Sequence, residues 1–238
     1  IVFAIQSIRE TGLMDFSALA TAISARTQSA AMPLTLLVNG LTLAGFYLFF
    51  RIRKKSVAAE LRLRPVPFAR LLPLIPLGVL LNIFLSSVLA LLPASWLAAY
   101  EEASAAVLGT DLSVFSALMV AVLAPLTEEV LFRGLVYTRF SRGLPRALAI
   151  LLAALLFGLL HMQPLWIAYA TVFGALLCVV MDRYDSLLAA ITLHMAFNAG
   201  SFVVLLLSGV SVTALIPVSA ALITGLGIAV WRETEKRA

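Results

Sequence analysis

Long apolar segments, separated by short polar ones, run through most of this chain of 238 residues. A helix needs about 20 apolar residues to cross the hydrocarbon core of a bilayer, and such a helix satisfies its backbone hydrogen bonds internally. The segments that meet or approach this length are Ala31–Phe50, Leu71–Leu92, Leu112–Arg139, Ala147–Met162, Leu165–Met181, Ser186–Leu207 and Val212–Trp231. We therefore predict an all-α fold, a polytopic transmembrane helical bundle with seven spans.

The composition favours one membrane domain over residues 1–238, without a soluble module. Hydrophobic residues make up 62% of the chain and charged residues 12%, whereas ordinary soluble domains are about 45–50% apolar and about 25% charged. The apolar stretch Ile1–Ile8 predicts either the tail of an earlier span, giving eight spans in the full-length protein, or an amphipathic surface segment. The single Cys178 excludes an intrachain disulfide and is predicted to pack as a small hydrophobic residue.

Basic residues fall in alternate loops between the predicted spans, and this pattern predicts the orientation. They follow the first, third, fifth and seventh spans: Arg51, Arg53, Lys54, Lys55, Arg62, Arg64 and Arg70; Arg139, Arg142 and Arg146; Arg183; and Arg232, Lys236 and Arg237. Loops rich in Lys and Arg stay in the cytoplasm, so we expect these loops and the C-terminus to be cytoplasmic. The pattern accounts for the net charge of +5 without a nucleic-acid partner. The expected surroundings are a lipid bilayer, the bacterial inner (plasma) membrane.

The third predicted span carries three ionisable residues in the sequence TEEVLFRG. Ionisable groups within a bilayer are costly and by default mark a functional site. Glu129 and Arg133, at i and i+4, share one helix face, whereas Glu128 points about 140° away from Arg133. We therefore interpret Glu129 and Arg133 as a structural pair that supports the site, and Glu128 as the working base. Pro125 predicts a kink ahead of them. The alternative, a helix that ends near Leu126 with an ordinary cap, leaves the apolar LFRGLVY unexplained.

Both histidines of the chain lie in apolar segments. His161 ends LLAALLFGLLH, where Gly158 allows close helix approach, and His194 lies inside the sixth predicted span. Asn198, at i+4 from His194, places an amide beside that imidazole on one helix face. Taken alone, His161 can be an interfacial residue, and His194 with Asn198 can be a helix-packing pair. Together with Glu128 they form a set suited to proton transfer or metal binding, so we predict catalytic roles for all four.

The three polar motifs together resemble those of a known family. TEEVLFRG, FGLLH and HMAFN occur in this order on separate predicted spans. They are similar to the Glu-Glu-x-x-x-Arg, Phe-x-x-x-His and His-x-x-x-Asn/Asp motifs of the CPBP intramembrane metalloprotease family, the type II CAAX prenyl endopeptidases and their bacterial Abi-related relatives. The resemblance covers Glu128–Asn198, within a motif-bearing core of about residues 112–207, and the N-terminal half shows no motif.

The resemblance implies an enzyme that hydrolyses a peptide bond at or within the membrane. Glu128 with His161 can deprotonate a water, and general-base catalysis of this kind raises a reaction rate about 10²–10⁴-fold. His194 and Asn198 can donate hydrogen bonds to the developing oxyanion. A divalent metal such as zinc is a further expectation, because Glu128, His161 and His194 form a recognised ligand set with one position left for water. A metal-free glutamate mechanism stays open beside it, and neither requires a Ser or Cys nucleophile.

Two other functions are compatible with these residues. A proton-coupled transporter can also place Glu and His inside the membrane, but the paired repeats with broken helices that typify such proteins are not visible in the sequence. A catalytically silent scaffold, such as an immunity or sorting partner, can keep the fold, although it does not need all four catalytic candidates. For the enzyme, the expected partner is a membrane-associated peptide or protein substrate, and prenylation of that substrate does not follow from the resemblance.

Overall fold

The computed structural model describes residues 16–108, 117–207 and 209–235, and the regular structure in these ranges is helical. The α-helices are α1 (Phe16–Ile52), α2 (Val57–Glu60), α3 (Phe68–Leu71), α4 (Leu74–Leu89), α5 (Ala94–Leu108), α6 (Ala124–Glu129), α7 (Thr138–Gly143), α8 (Arg146–Leu159), α9 (Pro164–Tyr184), α10 (Leu187–Leu206) and α11 (Val212–Glu235). Two π-helical segments, π1 (Met119–Leu123) and π2 (Val130–Tyr137), flank α6. The predicted all-α class is thus confirmed over the described residues.

Five stretches of the described helices are long and apolar enough to cross a membrane. They are Leu34–Ile52, Phe68–Leu89, Pro164–Tyr184, Leu187–Leu206 and Val212–Glu235. The predicted count of seven spans is not confirmed. Helix α8 has 14 residues, or about 21 Å of helix, which is less than the roughly 30 Å of a bilayer core. The third predicted span is divided among α6, α7 and the two π-helical segments, and its first residues, like Ile1–Ile8, lie outside the described ranges.

Two wide turns interrupt the third predicted span around its acidic residues. Pro125 is the second residue of α6, directly after π1. Because proline lacks an N–H and its ring clashes with the carbonyl four residues earlier, regular α-helical bonding cannot run through this point, and π1 supplies a widened turn instead. The second π-helical segment begins at Val130, immediately after Glu129. Both glutamates therefore lie on a short α-helical segment between two π-helical ones. π-Helical turns inside α-helices are frequent at functional sites.

The centre of the bundle is formed by α4 and α10, which pack closely. An added Cβ at Gly78 of α4 would lie 2.7 Å from the carbonyl oxygen of Leu193 and 2.8 Å from the amide nitrogen of Phe197, so a larger residue would push the two helices apart. Helix α10 is the most buried of the candidate spans, whereas α11 and the apolar part of α1 are almost entirely exposed on the outside of the bundle. The helix that carries His194 and Asn198 therefore lies at the core.

Ion pairs join the basic loops at one end of the bundle, called the basic end below. Asp182, in the last turn of α9, lies 3.0 Å from the guanidinium of Arg62 and 2.9 Å from that of Arg146. Glu60 lies 2.8 Å from the guanidinium of Arg139. These contacts tie together the loops that follow the first, third and fifth predicted spans. The loops therefore meet on one side, as alternate loops of a membrane bundle should.

Candidate active site

The four catalytic candidates from the sequence border one cavity of about 680 Å³. Glu128 lies on α6, His161 follows the end of α8, and His194 and Asn198 lie on α10. The cavity continues between α5 and the first turns of α9, towards the end of the bundle opposite to the basic end. The structure thus brings together side chains from three separate predicted spans.

Glu129 is completely buried and connects two other polar side chains. Its Oε1 lies 2.8 Å from Nη1 of Arg133 and 2.7 Å from Nδ1 of His194. Both partners are buried as well, since Arg133 is 1% exposed and His194 4%. A buried charge needs an opposite charge and hydrogen bonds, which Glu129 and Arg133 supply to each other. The contact with His194 links this ion pair to the cavity.

The contact with Glu129 determines how the imidazole of His194 faces the cavity. Nδ1–H donates to the Glu129 carboxylate, an arrangement that orients a histidine ring and fixes its tautomer. The opposite nitrogen, Nε2, lies 3.6 Å from Oε2 of Glu128. The two adjacent carboxylates therefore approach the two nitrogens of one ring: Glu129 from the buried side and Glu128 from the cavity.

Arg133 is held by two contacts outside its ion pair. Nη2 donates a hydrogen bond of 3.1 Å to the carbonyl oxygen of Gly174, and the guanidinium carbon lies 4.3 Å from the centroid of the Phe157 ring. The Phe157 ring is also roughly perpendicular to both imidazoles, with centroid distances of 5.1 Å to His161 and 5.8 Å to His194. The phenylalanine of the second motif thus contacts the buried guanidinium and both histidines.

His161 is positioned by the turn between α8 and α9. Its Nδ1 lies 3.0 Å from the carbonyl oxygen of Phe157, so Nδ1–H can donate there and leave Nε2 for the cavity. An added Cβ at Gly158 would lie 2.8 Å from the carbonyl oxygen of Ile167, which is the close helix approach expected at this glycine. The side chain of Gln163 caps the first turn of α9. A tight turn therefore presents His161 to the cavity.

Asn198 lies one turn after His194 on α10 and faces π1. Its Nδ2 donates a hydrogen bond of 3.0 Å to the carbonyl oxygen of Val120. A carboxamide nitrogen carries two hydrogens, so one of them is left for a group in the cavity. The imidazole and the amide thus line the same wall, as their spacing of four residues predicts.

The two glutamates differ in their access to the cavity. The side chain of Glu128 is 33% exposed, whereas that of Glu129 is 0% exposed. A general base must come within hydrogen-bond distance of the proton that it removes, and of the two carboxylates Glu128 has that access. Cys178 is buried on α9 and does not border the cavity. The arrangement can therefore transfer a proton at Glu128, beside an imidazole of fixed orientation.

The three residues expected to hold a divalent metal are not assembled into a ligand set. Among the described residues, no group of three or more His, Cys, Asp or Glu side chains is close enough together to hold a metal ion. Glu128 approaches His194 to 3.6 Å, and His161 borders the same cavity without joining that pair. The geometry therefore does not fit a preformed three-ligand site, and the metal stays a proposal.

Part of the cavity wall was not predicted from the sequence. It includes the polar residues Asn82, Ser86 and Ser201 and the aromatic residues Tyr100, Trp166 and Tyr169. Asn82 carried a usable signal, because an amide inside the apolar segment Leu71–Leu92 needs hydrogen-bond partners within the membrane. Tyr100 carried none, since α5 falls in a stretch that the apolar pattern assigns to a loop.

Comparison with protein families finds a match that covers most of the motif-bearing part of the chain. Residues 110–200 match the model of the family described as "Rce1-like: Type II CAAX prenyl endopeptidase Rce1-like". This range contains all three motifs, from Glu128 to Asn198, so the resemblance drawn from them is confirmed. Comparison with the curated proteins and with the solved structures found no match.

Proposed function

Because residues 110–200 match the model of the Rce1-like family of type II CAAX prenyl endopeptidases, we propose that this chain is an intramembrane endopeptidase. It would hydrolyse a peptide bond of a membrane-associated protein or peptide through a water activated by Glu128 and His161. The observation that carries the proposal is the position of Glu128, which is open to the cavity and lies 3.6 Å from Nε2 of His194. The buried Glu129 holds the other nitrogen of that ring.

In the proposed reaction, Glu128 accepts a proton from a water that also contacts Nε2 of His161. The water oxygen forms a bond to the carbonyl carbon of the substrate, and the electrons of the carbonyl π bond move to its oxygen. The electrons on that oxygen then re-form the C=O bond, and the C–N bond breaks with its electron pair on nitrogen. The proton passes from Glu128 to this nitrogen, which leaves a carboxylic acid and an amine as products. General-base catalysis of this kind raises the reaction rate about 10²–10⁴-fold.

The oxyanion of this reaction needs hydrogen-bond donors on the cavity wall. Since Nδ1–H of His194 donates to Glu129, His194 can donate from Nε2 only as the doubly protonated imidazolium. The second N–H of Asn198 is the other donor. In known enzymes, the removal of one such donor lowers kcat about 10²–10³-fold.

The charges around the cavity support cleavage at an internal bond. The charged or ionisable groups among the described lining residues include the carboxylates of Glu101 and Glu128 and the imidazoles of His161 and His194. Lys and Arg are absent from the described residues that line the cavity. A free C-terminal carboxylate close to the scissile bond would therefore meet like charge without a Lys or Arg partner. An internal peptide segment avoids that repulsion, which favours endopeptidase over carboxypeptidase action.

The test is peptide cleavage by the purified protein, with variants that separate chemistry from folding. Wild type, Glu128→Gln and Glu102→Gln are compared on a pool of prenylated and unmodified peptides. Glu102 is an exposed carboxylate on α5 that does not border the cavity, so its variant is the matched control. We expect Glu128→Gln to lower kcat/KM at least about 100-fold, with an unchanged unfolding temperature, and Glu102→Gln to cleave like wild type.

Two outcomes would contradict the proposal. Equal cleavage by Glu128→Gln and wild type would remove Glu128 from the mechanism. Failure of the folded wild-type protein to cleave any peptide, while it still binds them, would favour the catalytically silent scaffold. A proton-coupled transporter would instead acidify the lumen of proteoliposomes in a substrate-dependent way, which is measured with a pH dye on the same samples.

A divalent metal is a separate proposal that the same preparations can test. If Glu128, His161 and His194 draw together around zinc, the ion would polarise a water and lower its pKa. Metal content is measured on wild type and His194→Ala. Stoichiometric zinc that is lost with the histidine would support the metalloprotease, whereas metal-free and fully active protein would support the glutamate mechanism.

A further inference from the structure

Three polar side chains on α4 and α10 line the cavity wall beyond the motif residues. They are Asn82, Ser86 and Ser201, called the polar strip below. Asn82 is 6% exposed and lies in Phe68–Leu89, the most apolar of the candidate spans. A polar group at such a position is costly unless it is hydrogen-bonded. The polar side chains of the strip therefore require hydrogen-bond partners.

The hydrogen bonds within the strip leave part of Asn82 unused. Its Nδ2 donates to Oγ of Ser201 at 3.2 Å, and Oγ of Ser86 donates to its Oδ1 at 3.5 Å, a distance at the limit for a hydrogen bond. A carboxamide offers two N–H donors and two acceptor positions. One N–H and most of the acceptor capacity are thus left over on the wall of a cavity. Helix packing explains the bond to Ser201, but not this surplus.

The strip continues the line of the catalytic residues along α10. His194, Asn198 and Ser201 follow one another at i, i+4 and i+7, which places them on one helix face. Ser201 is therefore about 10 Å from His194 along the helix axis. An extended peptide advances about 3.4 Å per residue, so this distance corresponds to about three residues of substrate.

Another part of the cavity wall is aromatic. The rings of Trp166 and Tyr169 on α9 lie 5.9 Å and 6.3 Å from that of Tyr100 on α5, measured between centroids. An extended peptide in this cavity can turn apolar side chains towards these rings. Its backbone N–H and C=O groups would then be left unpaired, which is unfavourable inside a membrane. The polar strip is placed to pair with them.

We propose that the polar strip binds the backbone of an extended peptide substrate about three residues from the bond that Glu128 attacks. The free N–H of Asn82 donates to a substrate carbonyl, and its Oδ1 accepts from a substrate amide. This contact sets the register of cleavage. The inference rests on the proposed function, which supplies the peptide substrate.

The experiment measures binding rather than cleavage, so that it does not depend on the chemistry. The parent protein is Glu128→Gln, and the probe is a labelled, non-repetitive apolar peptide in which single backbone amides are replaced by esters. An ester removes one N–H donor at a known position. In the parent we expect one replacement to weaken binding about fivefold to tenfold. When Asn82→Leu is added to the parent, we expect the unmodified peptide to bind more weakly by a similar factor. The ester at the same position should then cause no further loss of binding.

Controls separate recognition from packing. Ser87→Ala lies on the same helix, where the Ser87 hydroxyl bonds the carbonyl of Ile83 and does not border the cavity, so it should leave the ester penalty intact. Ser201→Ala is a second, smaller change to the strip that should also reduce the penalty if Asn82→Leu fails to fold. Equal ester penalties in parent, Asn82→Leu and Ser201→Ala would overturn the inference even if wild type cleaves peptides. If the ester penalty depends on Asn82 as expected, but wild type cleaves no peptide, the proposed enzyme is overturned and the peptide-binding site is kept.

Discussion

Glu128 and Glu129 are neighbours in the sequence, yet their surroundings give them different tasks. Glu129 faces the protein interior, where the guanidinium of Arg133 and the imidazole of His194 surround it. Glu128 faces the cavity. Helix geometry alone predicts the pairing of Glu129 with Arg133, because it depends on residues four apart. The contact with His194 joins two distant segments, and no local pattern in the sequence could predict it.

Glu129→Gln is expected to destabilise the protein, unlike Glu128→Gln. The substitution leaves the guanidinium of Arg133 buried without a carboxylate, and breaking a buried pair in this way costs about 3–5 kcal/mol. It also weakens the contact that orients His194, so cleavage should fall as well. Thermal unfolding in one detergent, with Glu102→Gln as the control, measures the difference. An unchanged unfolding temperature for Glu129→Gln would show that Arg133 does not depend on this carboxylate.

At the scale of helices, apolar length predicted the long spans well and the interrupted ones poorly. The segments around α4, α9, α10 and α11 were found because each is a nearly continuous apolar run. The third predicted span contains π-helical turns, which change the residues per turn without changing the composition, so hydropathy cannot detect them. Likewise α8 ends at the turn that presents His161, a constraint set by the site rather than by the membrane.

Close packing of α4 against α10 gives a prediction about glycines. Gly78→Ala would place a methyl group 2.7 Å from a backbone oxygen of α10, and overpacking of this kind costs about 1–3 kcal/mol. We expect a lower unfolding temperature and weaker cleavage, because the helix that shifts carries His194. Gly225→Ala on α11 is the matched control, since an added Cβ there meets nothing within 4 Å. If both variants unfold at the wild-type temperature, the contact between α4 and α10 is looser than described.

The whole molecule has two chemically different ends. The loops after α1 and α7, together with the last turn of α9, form the ion-paired basic end. There the guanidinium of Arg183 also lies 3.1 Å from the centroid of the Trp231 ring near the end of α11. The cavity extends towards the other end, where Glu101 is exposed at its edge. If the basic end is cytoplasmic, as the positive-inside rule predicts, the cavity is entered from the opposite face of the membrane.

Cysteine labelling tests this orientation directly. In a Cys178→Ala background, which removes the buried native thiol, single cysteines replace Glu101 near the cavity and Arg142 at the basic end, both exposed positions. A membrane-impermeant maleimide added to spheroplasts should label Glu101→Cys at once and Arg142→Cys only after the membrane is permeabilised. The reverse pattern would put the basic end outside and let cytoplasmic peptides enter the cavity. The orientation therefore decides which compartment must supply the substrate.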